Sequence, residues 1–295
     1  MGIAFHNGQR SQIPCRWGFK APFFDSLLRW PLQTDIYIVN GTKKKLERLY
    51  SIYNHRQYVH PDPIAFLYDY DNPDDREVVA FVASALAYGR VTQIMNSVNQ
   101  VLREMGPAPK RYLARTSWDT LRTTFHGFRH RFATGDQVAA MLTGVARVLA
   151  RYGTLQTVFR DGYREGDDTV LPALAHFVGS VLEAAPAAPG HLLPHPGRGS
   201  ACKRLNLFLR WMVRADAVDP GGWEGISPAQ LIVPLDTHML RLGLQWGFTR
   251  RKQGSMQTAL EITAGFRAVN PRDPVRYDFI LTRLGIWGKI ALLEE

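Results

Sequence analysis

Two short stretches in the last third of this 295-residue chain carry residue types at spacings that could do chemistry. The first, His195-Pro196-Gly197-Arg198-Gly199-Ser200-Ala201-Cys202-Lys203, is a glycine-containing turn feeding a helix. Glycines at such a place let backbone N–H groups come close to an anion, and a helix N-terminus adds the positive end of its dipole. Arg198, Lys203 and Arg204 gather cationic charge beside it. That combination suits a phosphate, although an ordinary loop-to-helix turn uses the same glycines. The second stretch, Val233-Pro234-Leu235-Asp236-Thr237-His238-Met239-Leu240-Arg241-Leu242, sets Asp236 after a proline and before an amphipathic run. Aspartate is a preferred N-cap, which is by itself a sufficient reason for its presence. A carboxylate at a helix start can also orient water or stabilise developing positive charge.

The elements that must position these residues are helical in pattern. Thr42 serves as an N-cap for Lys43 to Arg56, where Leu46, Leu49, Tyr50 and Tyr53 share a face. Asp62-Pro63 opens a short helix, and Pro73-Asp74-Asp75 starts a long one with acidic residues at its positive end. Val78, Val79, Phe81, Val82, Ala85 and Leu86 cover most of that helix's circumference, so it is expected at the centre of the core. Gly89 breaks it, and Ile94, Val98, Val101 and Leu102 resume the period up to Gly106-Pro107. Helical spacing returns at Gln137 to Arg151, Leu155 to Phe159 and Val170 to Leu182. After a loop rich in Ala, Pro and Gly from Ala184 to Gly199, it continues in Ser200 to Arg214, Asp236 to Trp246, Ser255 to Ala268 and Asp273 to Gly285. No internal repeat and no set of alternating strands is evident. The expected fold is all-α with roughly ten helices, taking about 11–12 residues as a typical helix. Residues 1–41, with Pro14, Pro22 and Pro31 and the strand-like run Ile36-Tyr37-Ile38-Val39, read as an extension that is poorly ordered or packed on the surface. Residues 42–295 read as one all-α domain, with the hairpin and active-site segment at 193–246.

Composition narrows the partners. A hydrophobic fraction of 45% and a charged fraction of 21% exclude wholesale disorder, and no run reaches the about eighteen apolar residues of a membrane span. Phe23-Phe24-Asp25 interrupts the N-terminus with charge, so it does not read as a signal peptide. Cys15 and Cys202 are too few for a disulfide framework or a four-cysteine cluster, and the histidines lack metal-site spacing. No metal or other cofactor is expected, and the cytoplasm, near the nucleoid, is the expected compartment. Thirty-six Lys and Arg against twenty-six Asp and Glu give a net charge of +10, which favours a polyanion through counterion release.

Taken together, the two stretches resemble the helix-hairpin-helix DNA glycosylase superfamily. Leu193-Pro194-His195-Pro196-Gly197-Arg198-Gly199 is similar to the hairpin that grips one DNA strand there, and Pro234-Leu235-Asp236-Thr237-His238 to the segment carrying the active-site aspartate. The order is the same. The archaeal 8-oxoguanine glycosylase branch is the nearer likeness, with its irregular hairpin and longer lysine-to-aspartate separation. Nearer still is an uncharacterised bacterial family sharing the run Lys-Arg-Leu-Asn-Leu-Phe-Leu-Arg-Trp-Met-Val-Arg at Lys203 to Arg214. The sequence departs from the common hairpin in two ways. Lys203 falls four residues past Gly199, with Ala201 in the more usual lysine position, and the segment holding Asp216-Ala217-Val218-Asp219-Pro220-Gly221-Gly222-Trp223 lengthens the path to Asp236. The likeness covers about the last hundred residues.

The resemblance implies a DNA repair glycosylase, with or without lyase activity, acting on a flipped-out damaged base such as an oxidised purine in duplex DNA. Lys203 and Asp236 would be its catalytic pair. Gly197, Arg198, Gly199, Ser200, Arg204 and His238 would contact DNA. Arg90 and, on the Lys203 helix face, Asn206, Arg210 and Trp211 would line the base pocket. A lysine amine attacks only when neutral, which burial or a neighbouring cation such as Arg204 favours. Plainer readings stand beside these. Lys203 would serve a phosphate, Trp211 would extend the core face of Leu205, Phe208, Leu209 and Met212, and His238 would close a local hydrogen bond. At the level of the whole chain the alternatives are a non-catalytic DNA- or RNA-binding protein and an enzyme for a small nucleoside-like substrate.

Overall fold

The structure is a computed structural model that describes residues 36–289. Among the described residues it is predominantly helical, with twelve α-helices and one two-stranded hairpin. In chain order these are α1 (Ile36–Tyr53), α2 (Pro73–Ala85), α3 (Val91–Met105), α4 (Pro109–Arg115), α5 (Trp118–Thr124), β1 (Arg129–His130), β2 (Ala133–Thr134), α6 (Gly135–Tyr152), α7 (Leu155–Asp161), α8 (Leu171–Ala184), α9 (Lys203–Val213), α10 (Thr237–Gln245), α11 (Met256–Val269) and α12 (Asp278–Ile286). The all-α expectation therefore holds in its coarse form.

α2 is the axis of the core. Asn72 caps it through Asp74 N at 2.8 Å and Asp75 N at 3.2 Å, Pro73 opens it, and every residue from Glu77 to Ala85 is buried. An all-round apolar helix can be satisfied only at the centre of a bundle, and α9 packs along it. Phe81 meets Phe208 at 5.4 Å and Phe177 of α8 at 5.7 Å, both edge-on, the geometry favoured by ring quadrupoles. Glu77 is the polar exception. Its carboxylate accepts from Leu155 N, Gln156 N and Trp223 Nε1, tying the free N-terminus of α7 to the core.

Three differences from the sequence reading concern the ends and the middle. The strand-like run at Ile36 is helical, and Thr42 lies inside α1 rather than capping it, so the 41/42 boundary falls within a helix. The rest of the proposed extension lies outside the described residues. The segment opened by Asp62-Pro63 is a 3₁₀ helix, Pro63–Asp69, with Asp62 accepting from Ile64 N. Between Gly106 and Gly135, where no regular element was read, α4 and β1 pack against α3, and α5 packs against α6. The hairpin pairs Arg129 with Thr134 and His130 with Ala133, leaving Arg131 and Phe132 at its tip. Thr134 then opens α6 in a reciprocal capping box with Gln137.

Candidate active site

The turn before α9 is built to stop abruptly and present the first helical residue. His195 Nδ1 accepts from Gly197 N, Pro196–Arg198 forms one 3₁₀ turn, and Gly199 takes the left-handed conformation at φ 80°. Gly199 C=O accepts from Met256 N at 3.0 Å, and Ser200 pairs with Ser255, pinning the turn to the start of α11. Cys202 is left-handed at φ 47°, a conformation costly for a side-chain-bearing residue. Its thiol faces the Pro194 carbonyl, and burial raises its pKa to about 11. Lys203 follows as the first residue of α9. No α-helix lies between Ala184 and Lys203, and the loop expected from Ala184 to Gly199 holds two 3₁₀ turns, Gly190–Leu192 and Pro196–Arg198.

The turn before α10 supplies the partner. Asp236 is the N-cap, and its Oδ1 accepts from Met239 N at 2.8 Å. Its other oxygen, Oδ2, faces Lys203 Nζ at 3.6 Å. Both readings of Asp236 thus coexist in one side chain: one oxygen caps, and the other meets the lysine. Asp236 is 14% and Lys203 37% exposed in their side chains, so the pair is accessible from one side.

That side is an open cleft of about 910 Å³. Its lining includes Ser200, Lys203, Asp236 and Thr237 together with Tyr88, Arg90, Gln93, Arg131 and His191. The volume is in the range of small-ligand sites and exceeds what a single nucleobase needs. Arg90 and Arg131 leave the cleft cationic at its mouth. Among the described residues, no group of three His, Cys, Asp or Glu side chains is arranged to hold a metal ion, and no helix is long and apolar enough to cross a membrane.

Residues 62–287, three quarters of the chain, match the family described as "Protein of unknown function (DUF2400)". The chain belongs to that family. No curated protein and no solved structure matches it.

In this DUF2400 member several residues expected at the site lie elsewhere. Of α9 only Lys203 and Arg204 reach the cleft, because Arg204 to Val213 is buried at every position but Leu207. Asn206 is buried, donating from Nδ2 to the Ala201 carbonyl at 3.1 Å. Trp211 is 1% exposed and belongs to the core. Arg210 is enclosed by Asp219, at 3.1 Å, and Asp278. None of the three lines the cleft, because a helical face shared with Lys203 runs inward from it. Arg204 touches the cleft but faces away from solvent. Its guanidinium donates to the carbonyls of Ala85 and His191, lies 4.7 Å from the Tyr88 ring centroid, and is lowered by burial to about 10. It is a brace between α2 and the 3₁₀ turn at Gly190–Leu192, not an exposed phosphate contact. His238 packs on Gly285 of α12, where an added Cβ would come within 2.7 Å of its Nδ1. Gly197, Arg198, Gly199 and Ser200 are exposed, and Arg90 stands at the cleft mouth.

Part of the cleft lining was not visible in the sequence. Tyr88, His191 and Arg131 come from three separate segments and meet only through the fold. Tyr88 OH donates to the His130 carbonyl, and its ring meets His130 edge-on at 4.5 Å and His191 at 4.8 Å. His130, fully buried, bridges Ser97 Oγ and the Tyr88 carbonyl. Asp278 is buried at the start of α12. Burial pushes its carboxyl up to about 6, Arg210 opposes this, and the charge of Asp236 adds to it.

Proposed function

We propose that this protein is a DNA repair glycosylase of the helix-hairpin-helix kind that excises a flipped-out damaged base, an oxidised purine being the preferred class, through Lys203 and Asp236. The observation that carries the reading is the 3.6 Å approach of Lys203 Nζ to Asp236 Oδ2 in the wall of an open cationic cleft. Two residues at the starts of different helices converge there, in the chain order that the glycosylase resemblance implies.

The chemistry follows from the pair. Once its ammonium has released a proton to solvent, the Lys203 amine attacks the sugar C1′, an N–C1′ bond forms, and the C1′–N bond to the base breaks. Asp236 takes one amine proton and passes it to the departing base, which leaves neutral. The sugar C1′–O4′ bond then opens, the remaining amine proton ends on O4′, and a Schiff base joins Lys203 to the open sugar. The target must leave the helical stack to reach the cleft. This costs a few kcal/mol, which is least for a damaged or mismatched base. Exposed Gly197 to Ser200, with Arg198, would hold the neighbouring phosphates.

The test is direct measurement of base release from duplexes carrying 8-oxoguanine, uracil or a normal base, for wild type and Lys203→Ala. Release from one lesion that disappears in the variant supports the reading. Salt-sensitive binding with no release from any duplex supports instead a non-catalytic nucleic-acid-binding protein.

A further inference from the structure

Two guanidiniums in the cleft have no counter-charge. Arg90, Arg131, Lys203 and Arg204 line it, and Asp236 is the one carboxylate among its lining residues. Lys203 faces that carboxylate at 3.6 Å, and Arg204 is engaged by the carbonyls of Ala85 and His191. Arg90 and Arg131 are left without an acidic partner among the described residues. Arginines deeper in the fold are placed differently: Arg210, Arg214 and Arg283 each meet an aspartate.

Arg131 is also held where the backbone would favour another residue. His130 pairs with Ala133, so Arg131 and Phe132 form a two-residue hairpin loop. φ is 52° at Arg131 and is not positive at Phe132. A positive φ at the first loop position alone is the pattern that favours glycine there. Gly89 makes room for the arginine: it sits at φ 101°, and a Cβ on it would come within 2.7 Å of Arg131 Cδ and 3.3 Å of Nη1. The guanidinium therefore lies over Gly89, next in sequence to Arg90. Strain of this kind persists where the surroundings enforce it, and it gathers at functional sites. His191 lines the same cleft, and burial, Arg204 and Arg131 lower its pKa. A neutral imidazole adds a hydrogen-bonding group there without a further charge.

We propose that Arg131 and Arg90, with His191 beside them, form a subsite for a phosphomonoester in the cleft that holds Lys203 and Asp236. A monoester carries about −1.5 to −2 charges near pH 7, which two guanidiniums without carboxylates match, whereas a diester carries one. Guanidinium planes also take phosphate oxygens in pairs. An internal phosphate of a strand is a diester, so the subsite selects a strand end or a free nucleotide. It shares the cleft of the reading above but does not depend on base excision. A site built for base and sugar alone would have no use for a strained, unpaired arginine.

The experiment compares equilibrium binding of one oligonucleotide ending in 5′-phosphate, in 3′-phosphate or in hydroxyls, single-stranded and as a duplex. The proteins are wild type, Arg90→Ala and Arg131→Gly, and the competitors are deoxyguanosine and its 5′-monophosphate. Wild type should bind a phosphorylated form about tenfold or more tighter than the unphosphorylated one, the scale of a charge-assisted hydrogen bond. Both variants should lose that preference. Arg131→Gly should melt no lower than wild type, because glycine takes the positive φ without strain. Competition by the monophosphate and not by deoxyguanosine would support the subsite with a free nucleotide as its ligand. A preference confined to oligonucleotides would support it with a strand end. Equal wild-type affinity for phosphorylated and unphosphorylated ligands, or no binding of any, would overturn the subsite, even if base release is observed. So would a preference that survives in either variant, or a lower melting temperature for Arg131→Gly, which would make the arginine a support of the fold. A phosphate preference without base release from any duplex would keep the subsite and remove the glycosylase chemistry.

Discussion

Asp236 holds two partners with two oxygens: Oδ1 accepts from Met239 N at 2.8 Å to start α10, and Oδ2 stands 3.6 Å from Lys203 Nζ at the start of α9. The cap fixes the carboxylate's rotamer, and the fixed rotamer aims the second oxygen at the amine. Under the proposed chemistry, a residue with an ordinary structural duty is in this way preorganised for a second, chemical one.

The two duties separate by substitution. Asparagine caps about as well as aspartate, whereas alanine does not. Asp236→Asn should melt close to wild type, and Asp236→Ala should lose about 1 kcal/mol of stability. Base release should fall by about a hundredfold or more in both, because neither keeps a carboxylate beside Lys203. Full activity in Asp236→Asn would reduce Asp236 to its cap.

Two arginines near the turn should behave oppositely. Arg204 is buried against the carbonyls of Ala85 and His191, and its removal orphans buried acceptors. Arg204→Ala should therefore cost about 2–4 kcal/mol in denaturant unfolding. Arg198 is exposed on the turn, so Arg198→Ala should leave stability unchanged. It should weaken DNA binding uniformly and reduce the log–log salt slope by about one. A salt slope unaltered in Arg198→Ala would take the turn away from DNA.

A stability change with pH follows from Asp216. Burial works against its ionised form, but Arg214, the N–H groups of Val218 and Asp219, and the Tyr50 hydroxyl outweigh it and hold the carboxyl down to about 2. Its folded value lies below its unfolded one, so the stabilisation is complete above about pH 4 and is lost as pH falls toward 2. Asp216→Asn should be less stable than wild type by about 2 kcal/mol at pH 7, and the difference should shrink through that acid window. Chemical unfolding at pH 7, 4 and 2.5 checks it. A constant difference across the three would contradict the assignment.

Much of the scaffold was legible because helices announce themselves locally. The apolar circumference of α2, the break at Gly89 and the cap at Asp236 each depend on a few neighbouring residues, and each is present. The hairpin at Arg129 to Thr134 was not legible, since two residues per strand are too few to show a period. The base-pocket expectation failed for a different reason. Asn206 and Arg210 do share a helix face with Lys203, but spacing alone does not say which end of that face meets solvent. Here α9 enters the core at its second residue, and the ion pairs of Arg210 with Asp219 and Asp278 occupy the interior. Tyr88, Arg131 and His191 reach the cleft through tertiary contacts that no local pattern encodes.

The central claim is that Lys203 forms a bond to DNA. Borohydride reduction of the protein on duplexes containing 8-oxoguanine, uracil or an abasic site, followed by peptide mass mapping, tests it most directly. The account predicts a covalent adduct on Lys203 that is absent from Lys203→Ala, while that variant still binds the duplex. An adduct on another residue, or none on any lesion with wild-type protein bound, would contradict it.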